Sequence, residues 1–209
     1  GEFLYNIGRE TFLVPITWEQ DEWPIVDNED GMVHVDERFP NLEEVVLPKV
    51  SPNDNFENDK LSLIWNTLRH CDIEFYNLSE RPGYLRIYAQ KNEITQNCTS
   101  SFVGRRQQHN CFFAYTAMEA HLNDKNEEVG LVVIQNHSFH FQYLLSQFDG
   151  KAYLHVYEIK DGQKKVLIEW EIVFTDRIYL GILGIEDKYN FYYGYKEGEK
   201  NLLCVNGNG

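Results

Sequence analysis

The chain has 209 residues, with 19 lysines and arginines against 33 aspartates and glutamates, for a formal net charge of −14. That balance excludes a phosphate backbone as the natural partner, because non-specific nucleic-acid affinity is mostly cationic; neutral and cationic ligands stay open. A hydrophobic content of 43% with 25% charged residues is that of a folded globular chain, long enough for one β-sandwich or two small domains. No run approaches the ~18–20 apolar residues of a membrane-spanning helix, so no membrane partner is expected.

In chain order, residues 1–26 hold a short amphipathic segment, a strand, and Trp18 and Trp23 on either side of an acidic turn. Phe12, Trp18 and Trp23 have nothing local to cover them. Residues 27–59 turn polar, with Pro40, Pro48 and Pro52 and the acidic runs 27–30 and 53–55. They read as a linker with one short strand over Glu43–Leu47. From residue 60 the pattern is strands and turns only: 62–69, 83–89, 101–107, 111–121, 129–135, 138–146, 151–159, 165–174, 177–184 and 189–195. The clearest hairpin turns at Asp161-Gly162, a pair that suits a type I′ turn because both positions tolerate positive φ. That turn sets Glu158 opposite Lys165, Tyr157 opposite Val166 and Tyr153 opposite Trp170, pairs each favourable by ~0.2–1 kcal/mol. No helix of ordinary length is visible. The expected class is all-β and the expected architecture a two-sheet antiparallel sandwich.

Three strand-like stretches carry unusual faces: Leu61–Arg69 (LSLIWNTLR), Arg81–Gln90 (RPGYLRIYAQ) and Ser100–His109 (SSFVGRRQQH). In the first, Ile64 and Leu68 alternate with Trp65 and Arg69. In the second, Leu85 and Ile87 alternate with Arg86, Tyr88 and Gln90. In the third, Arg106 and Gln108 share a face with Phe102 and Gly104. A neutral polysaccharide needs a flat ring for the C–H face of a sugar and planar groups for its hydroxyls. Trp65, Arg69, Arg86, Tyr88, Arg106 and Gln108 are therefore the candidate ligand-binding set, expected on a common exposed wall.

Glu169 and Glu171 lie on one strand face, ~6.6–7 Å apart, within the ~6.5–9.5 Å separation of an inverting glycosidase pair. Lys164 and Lys165 flank them and nothing nearby would raise a pKa, so they read as solvated charges and no catalytic residue is assigned. Histidines 109, 121, 137, 140 and 155 show no regular ligand spacing; His137 and His140 read as exposed loop residues. Asp54, Asn55, Glu57 and Asp187 are the oxygen donors for a structural calcium ion, if one is bound. Cys71, Cys98, Cys111 and Cys204 match no zinc template, and free core thiols are preferred over disulfides. Three sequons, at Asn77, Asn97 and Asn136, permit glycosylation. Location is open between secretion, the preferred reading, and the bacterial cytoplasm.

These residues carry a family resemblance. The segment GRETFLVPITW…EWPIV resembles the end of the five-bladed propeller, and the lead-out from it, in family 43 glycoside hydrolases, the β-xylosidases and α-L-arabinofuranosidases. The motifs NDNFENDKLSLIWNTLR, ERPGYLRIYAQ, SFVGRRQQH and EEVGLVVIQN resemble those of their C-terminal concanavalin-A-like sandwich, a jelly roll also classed as a xylan-binding module of carbohydrate-binding family 91. The resemblance runs from about Asn6 to at least Tyr143. It implies a propeller remnant over 1–26, a linker over 27–59 and a sandwich module over 60–209, with further closing strands in family members beyond this chain's last residues. It also implies that catalytic carboxylates lie in the propeller, so this chain is not expected to hydrolyse by itself. Xylan or xylo-oligosaccharide and the catalytic propeller are the implied partners. In the family a loop between Gln90 and Phe102 reaches the substrate pocket and often carries an aromatic residue; here it reads KNEITQNCTSS. Three functions compete: a glycan-binding accessory module, a structural domain docked on the propeller, and a sandwich enzyme using Glu169 and Glu171.

Overall fold

The computed structural model describes residues 7, 11–26, 31–34, 36, 41–69, 75–174 and 176–206; the acidic run 27–30, Pro40 and Cys71 lie outside them. The chain separates into two compact units, Gly8–Asp54 and a larger one that includes Asn55–Gly209. In the smaller, β1 (Ile16–Thr17) pairs with β2 (Ile25–Val26) across a turn in which Asp21 takes positive φ. Trp18 and Trp23 flank that turn, and Trp23 is 88% exposed. Glu43–Leu47 forms no strand: one short apolar run without a pairing partner cannot satisfy a ladder.

The larger unit continues with β3 (Trp65–Thr67), β4 (Tyr76–Asn77), β5 (Arg86–Ile87), β6 (Val103–Arg105), β7 (Cys111–Met118), β8 (Glu128–Asn136) and β9 (Phe139–Phe148). It ends with β10 (Lys151–Lys160), β11 (Gln163–Ile172), β12 (Ile178–Ile185), β13 (Lys188–Gly194) and β14 (Asn201–Asn206). Two four-stranded sheets, in the orders β11-β10-β9-β8 and β14-β13-β12-β7, are antiparallel throughout, and β3–β6 and β4–β5 form separate two-stranded ribbons. The class is all-β and the architecture a sandwich, as expected.

The core follows from strand pleating. Phe141, Tyr143 and Leu145 of β9 and Leu154 and Val156 of β10 alternate along their strands, and they meet Ile178, Leu180 and Ile182 of β12 and Tyr189 and Phe191 of β13. Tyr143 is fully buried, stands edge-on to Phe191 with ring centroids 5.4 Å apart, and donates its hydroxyl to the Tyr192 carbonyl at 3.0 Å across the sandwich. Each fully buried side chain of this kind stabilises by ~1.5–3 kcal/mol. Both needs of a buried tyrosine, packing for its ring and a hydrogen-bond partner for its hydroxyl, are met.

Turn chemistry sets the register. Asp161 and Gly162 both take positive φ, as do Asp149 and Gly150 between β9 and β10, the conformation two-residue hairpins require. Glu158 faces Lys165 and Tyr157 faces Val166, as the sequence predicts. Beyond them a β-bulge between Val156 and Tyr157 shifts the pairing, so Tyr153 faces Glu171 and Trp170 faces Leu154. The one-residue slip moves Tyr153 away from Trp170 and beside a carboxylate.

The three stretches with unusual faces form much shorter strands than the sequence predicts. A turn in which the Trp65 amide donates to Ser62 precedes β3, and Arg69 at positive φ ends it. A turn at Arg81–Tyr84, with Gly83 at positive φ, delays β5 until Arg86. Local hydrogen bonds there compete with ladder formation. β4 and β14 are absent from the sequence-based reading. Among the described cysteines, Cys98, Cys111 and Cys204 are free thiols, and Cys111 is exposed rather than in the core.

Two motif residues are structural. Arg81 stacks its guanidinium on the Tyr84 ring at 3.6 Å and ion-pairs with Glu119 just past β7; Arg177, just before β12, bonds both Glu119 and the Tyr84 hydroxyl. The cluster ties the 81–84 turn to one end of a main sheet. Hydrogen bonds from Arg81 and then Arg177 hold the Glu119 carboxyl down at about 2. A carboxylate lowered in the fold contributes stability that is present above its unfolded value, near 4.5, and is lost as pH falls toward about 2. Glu119→Gln is expected to lower Tm at pH 7 and to have a smaller effect at pH 2.5, which thermal denaturation at the two pH values measures. Gly130 in β8 leaves no room for a Cβ, which would lie 2.0 Å from the Tyr143 carbonyl oxygen. Because that neighbour is backbone, Gly130→Ala should destabilise the domain by ~1–3 kcal/mol, measured by denaturant titration.

Candidate functional site

On the sheet β11-β10-β9-β8, the side chains that alternate with the core set point to the other face. Strand β9 contributes His140, Gln142, Leu144 and Ser146; β10 contributes Tyr153, His155 and Tyr157, and the register sets Tyr157 opposite Gln142, His155 opposite Leu144 and Tyr153 opposite Ser146. β8 brings Glu128 opposite Ser146, and β11 brings Glu169 opposite His155 and Glu171 opposite Tyr153. This outward face is neither apolar nor simply solvated. His140, Gln142, Ser146 and His155 are all buried, and they are four of the five buried polar residues among those described.

The reason lies in strand position. β9 and β10 have neighbours on both sides, so large side chains on adjacent strands shield their outward residues. Buried polar groups then require partners. His140 Nδ1 lies 3.1 Å from the Asn136 carbonyl, which can only accept, so Nδ1 carries the proton; Gln142 Nε2 then donates to His140 Nε2 at 3.0 Å. The Tyr157 hydroxyl donates to Glu128 at 2.9 Å, and Lys164 Nζ sits 3.8 Å over the Tyr157 ring. Ser146 Oγ meets His155 Nε2 at 2.7 Å. His155 Nδ1 is the one solvent-sealed side-chain atom of this face, among the described residues, without a hydrogen bond; Glu169 Oε2 approaches to 3.5 Å, outside good hydrogen-bond range. A carboxylate at that distance selects the Nδ1–H tautomer and makes Ser146 the donor to Nε2.

Along β10 the rings form a row. His155 lies parallel to Tyr157 with centroids 5.4 Å apart, and Tyr153 is 6.2 Å from His155 on the other side. Tyr157 is buried, whereas Tyr153 is half-buried. Glu169 and Glu171 stand at the rim, exposed, with Glu171 paired to Lys151 at 2.9 Å. They are solvated charges, as the sequence predicts.

The six residues assigned from sequence occupy the two ribbons instead. Trp65 faces Arg105 across β3–β6, with the Arg105 guanidinium 5.9 Å from the ring centroid and Phe56 packed 5.5 Å away. Cross-strand partners share a face, so Trp65 keeps company with Arg105 rather than with Arg106. Arg69 bonds Asn97 Oδ1 at 3.0 Å and the Cys98 carbonyl. Arg86 and Tyr88 both engage Glu80. Arg106 and Gln108 are exposed, just beyond β6. The ribbons do not assemble the six into one wall. As for calcium, among the described residues no three His, Cys, Asp or Glu side chains gather as a metal site; Asp54 and Asn55 precede β3, Glu57 is exposed, and Asp187 lies in the β12–β13 turn.

Reading His140 and His155 singly hides this outward face in the sequence. His137 is an exposed turn residue, as expected, but His140 is a buried strand residue. The signal is the alternation in FHFQYLLSQF and AYLHVY, where the residues between core positions are polar or aromatic except for Leu144.

Burial lowers the His140 and His155 pKa values; Glu128 and Glu169 oppose it for His155 and Lys164 reinforces it, while for His140 the Asn136 carbonyl opposes and His137 and Lys164 reinforce. As pH falls below the ordinary imidazole value of 6.5, the unfolded chain takes up protons the folded chain refuses, so stability falls. Denaturant unfolding at pH 7.5 and 5.5 should show that loss, and His155→Ala should reduce its slope.

Comparison with known proteins places these elements. Residues 53–208 match the model of the β-xylosidase C-terminal concanavalin A-like domain. The non-reducing end α-L-arabinofuranosidase BoGH43B of Bacteroides ovatus is 33% identical over 189 residues, covering 89% of this chain and 35% of that protein. A β-xylosidase of Bacillus subtilis is 28% identical over 212 residues, covering 95% of this chain and 38% of the relative. Among solved structures, GH43B of the Bacteroides ovatus xyloglucan PUL superposes with a TM-score of 0.84 at 30% identity, over 93% of this chain and 38% of that one. The GH43 protein BlXynB of Bacillus licheniformis gives 0.88 at 26% identity, over 98% and 39%. The chain thus spans well under half the length of the relatives it matches.

Proposed function

Since the chain belongs to the family of β-xylosidase C-terminal concanavalin A-like domains, we propose that it is a non-catalytic accessory module of a xylan-degrading glycoside hydrolase. In this reading it takes xylan or xylo-oligosaccharide on one sheet face. The observation that carries the proposal is the outward face of β8–β11, where a half-exposed tyrosine ring stands beside a preorganised set of polar groups. A ring for the C–H face of a sugar and fixed hydrogen-bonding groups for its hydroxyls are what a neutral glycan requires. Of the ribbon residues, Arg106 and Gln108 stay accessible as outlying contacts, whereas Arg69, Arg86 and Tyr88 already hold protein partners. An open face buries few hydroxyls and must displace water, so affinity is weak. Isothermal titration with xylohexaose should give measurable heat, and Tyr153→Ala should weaken binding by about five- to tenfold. Absence of heat with any xylan refutes the proposal.

A second reading has its own observation. Trp18 and Trp23 are 72% and 88% exposed, and the relatives are far longer than this chain. A structural domain that docks on and completes a catalytic propeller would cover such residues. It is distinguished by binding to a separately expressed catalytic domain, followed by light scattering, in the absence of any glycan affinity.

A further inference from the structure

We infer that the outward face of the sheet β14-β13-β12-β7 is a binding site for a sugar that bears a carboxylate, with Tyr115 stacking on the sugar ring and Lys200 taking the acid group. The site lies on the other sheet from the face described above, goes beyond the glycan reading of that face, and uses none of its residues.

Cross-strand register lays out the face. Tyr115 of β7 and Tyr192 of β13 flank Gly181 of β12, and Phe113 and Asn190 flank Leu183 one row on. A Cβ at Gly181 would lie 2.8 Å from Phe113 Cζ, so the glycine lets the Phe113 ring lean across β12. There it meets Tyr192 edge-on, with centroids 6.1 Å apart. Tyr115 stacks beside Phe113, its plane 23° from parallel and its centroid 5.9 Å away. Phe113 and Tyr192 are half-buried, whereas Tyr115 is 53% exposed. A ring steadied by a neighbour yet open to solvent suits the C–H face of a sugar, because little side-chain freedom is left to lose on binding.

A cation sits beside this pair of rings. Lys200 is exposed, its Nζ lies 4.0 Å from the Phe113 ring centroid, and among the described residues no carboxylate ion-pairs with it. Its neighbour Glu199 is committed elsewhere, accepting from the Tyr195 and Lys196 amides and from Asn201 Nδ2. An exposed ammonium over a ring gains less than an ammonium that donates to a carboxylate. An incoming acid group therefore draws Lys200 off the ring and leaves the Phe113–Tyr115 pair to the sugar.

Charge names the ligand class. None of the outward residues of β7, β12 and β13 is an aspartate or glutamate, and Lys188 stands exposed on the same face opposite Ile185. In a chain with 33 acidic residues against 19 basic ones, that sets the face apart. The outward face of the other sheet, by contrast, is bordered by Glu128, Glu169 and Glu171. An anion is repelled there and attracted to Lys200 here. The aromatic pair fits a flat C–H surface and Lys200 fits a carboxylate; a glycan bearing a uronic acid carries both.

The test uses the full chain carrying Tyr153→Ala, which removes the ring of the other face, and titration calorimetry with two probes: xylohexaose and a xylo-oligosaccharide of equal length bearing one uronic acid substituent. The uronate oligosaccharide should bind this chain more tightly than xylohexaose at low salt, with the gap narrowing as salt rises. Adding Tyr115→Ala should weaken its binding about five- to tenfold, and adding Lys200→Gln should remove most of the preference for the acid, about tenfold. Both substitutions are at exposed positions, so both variants are expected to fold. The site is wrong if the uronate oligosaccharide gives no heat, if it binds no more tightly than xylohexaose at low salt, or if neither added substitution weakens it. None of those results touches the reading of the β8–β11 face, which stands or falls on xylohexaose binding to the chain that keeps Tyr153.

Discussion

Strands β9 and β10 must bury both of their faces, and the rest of the molecule follows from how they do so. Each has a hydrogen-bonded neighbour on either side. Pleating therefore gives each strand two shielded rows. One row is apolar and fits the opposite sheet through Phe141, Tyr143, Leu145, Leu154 and Val156. The second row has no sheet to pack against. Apart from Leu144 it is filled with histidine, glutamine, serine and tyrosine, most of them hydrogen-bonded to one another or to Glu128. A purely apolar second row would present a large exposed hydrophobic patch, and an unbonded polar row would lose the desolvation energy of every group in it. A mutually bonded polar row avoids both.

That arrangement also fixes the side chains of the face. Polar networks in partly dry surroundings fix tautomers and rotamers, because each donor has one acceptor within reach. The His140–Gln142 pair is closed upon itself at 3.0 Å. The Ser146–His155 pair is closed on one side only. The difference between the two histidines, with similar burial and similar chemistry, is the presence or absence of a carbonyl at Nδ1: Asn136 supplies it to His140, and nothing equivalent reaches His155.

Much of the sandwich was legible in the sequence and much of the site was not, for one shared reason. Alternation over eight to ten residues, closed by Asp-Gly, locates β9, β10 and β11 and gives the correct pairing of Glu158 with Lys165 and Tyr157 with Val166. A β-bulge carries no signature in composition, so the pairing of Tyr153 is misread by one residue. The same short-range view draws attention to Trp65, Arg69, Arg86 and Tyr88, whose side chains look unclaimed within their own strands. Their partners are Arg105, Asn97 and Glu80, and those distant or turn-borne contacts depend on where short ribbons fold back. The histidines err in the opposite direction. Taken singly, His140 suggests a loop and His155 no role at all; taken with the alternate residues of its strand, each belongs to a buried row.

The motifs that carry the family resemblance mark a scaffold more than a binding surface. Arg81 and Tyr84 in RPGYLR engage Glu119 and Arg177, so the motif fastens a turn to the ends of β7 and β12. Gly130 in EEVGLVV permits the close approach of β8 to the Tyr143 carbonyl, which a side chain would prevent. Arg81 and Tyr84 are engaged within the chain, and Gly130 has no side chain. Sequence features that identify such a domain therefore say where its backbone must come close or be tied down. The outward face of β8–β11 is bound by weaker constraints: its residues need only bond one another and leave the backbone alone. The outward face of β8–β11 is thus a row of side chains that stability requires to be largely polar and paired, but whose identity stability does not otherwise dictate.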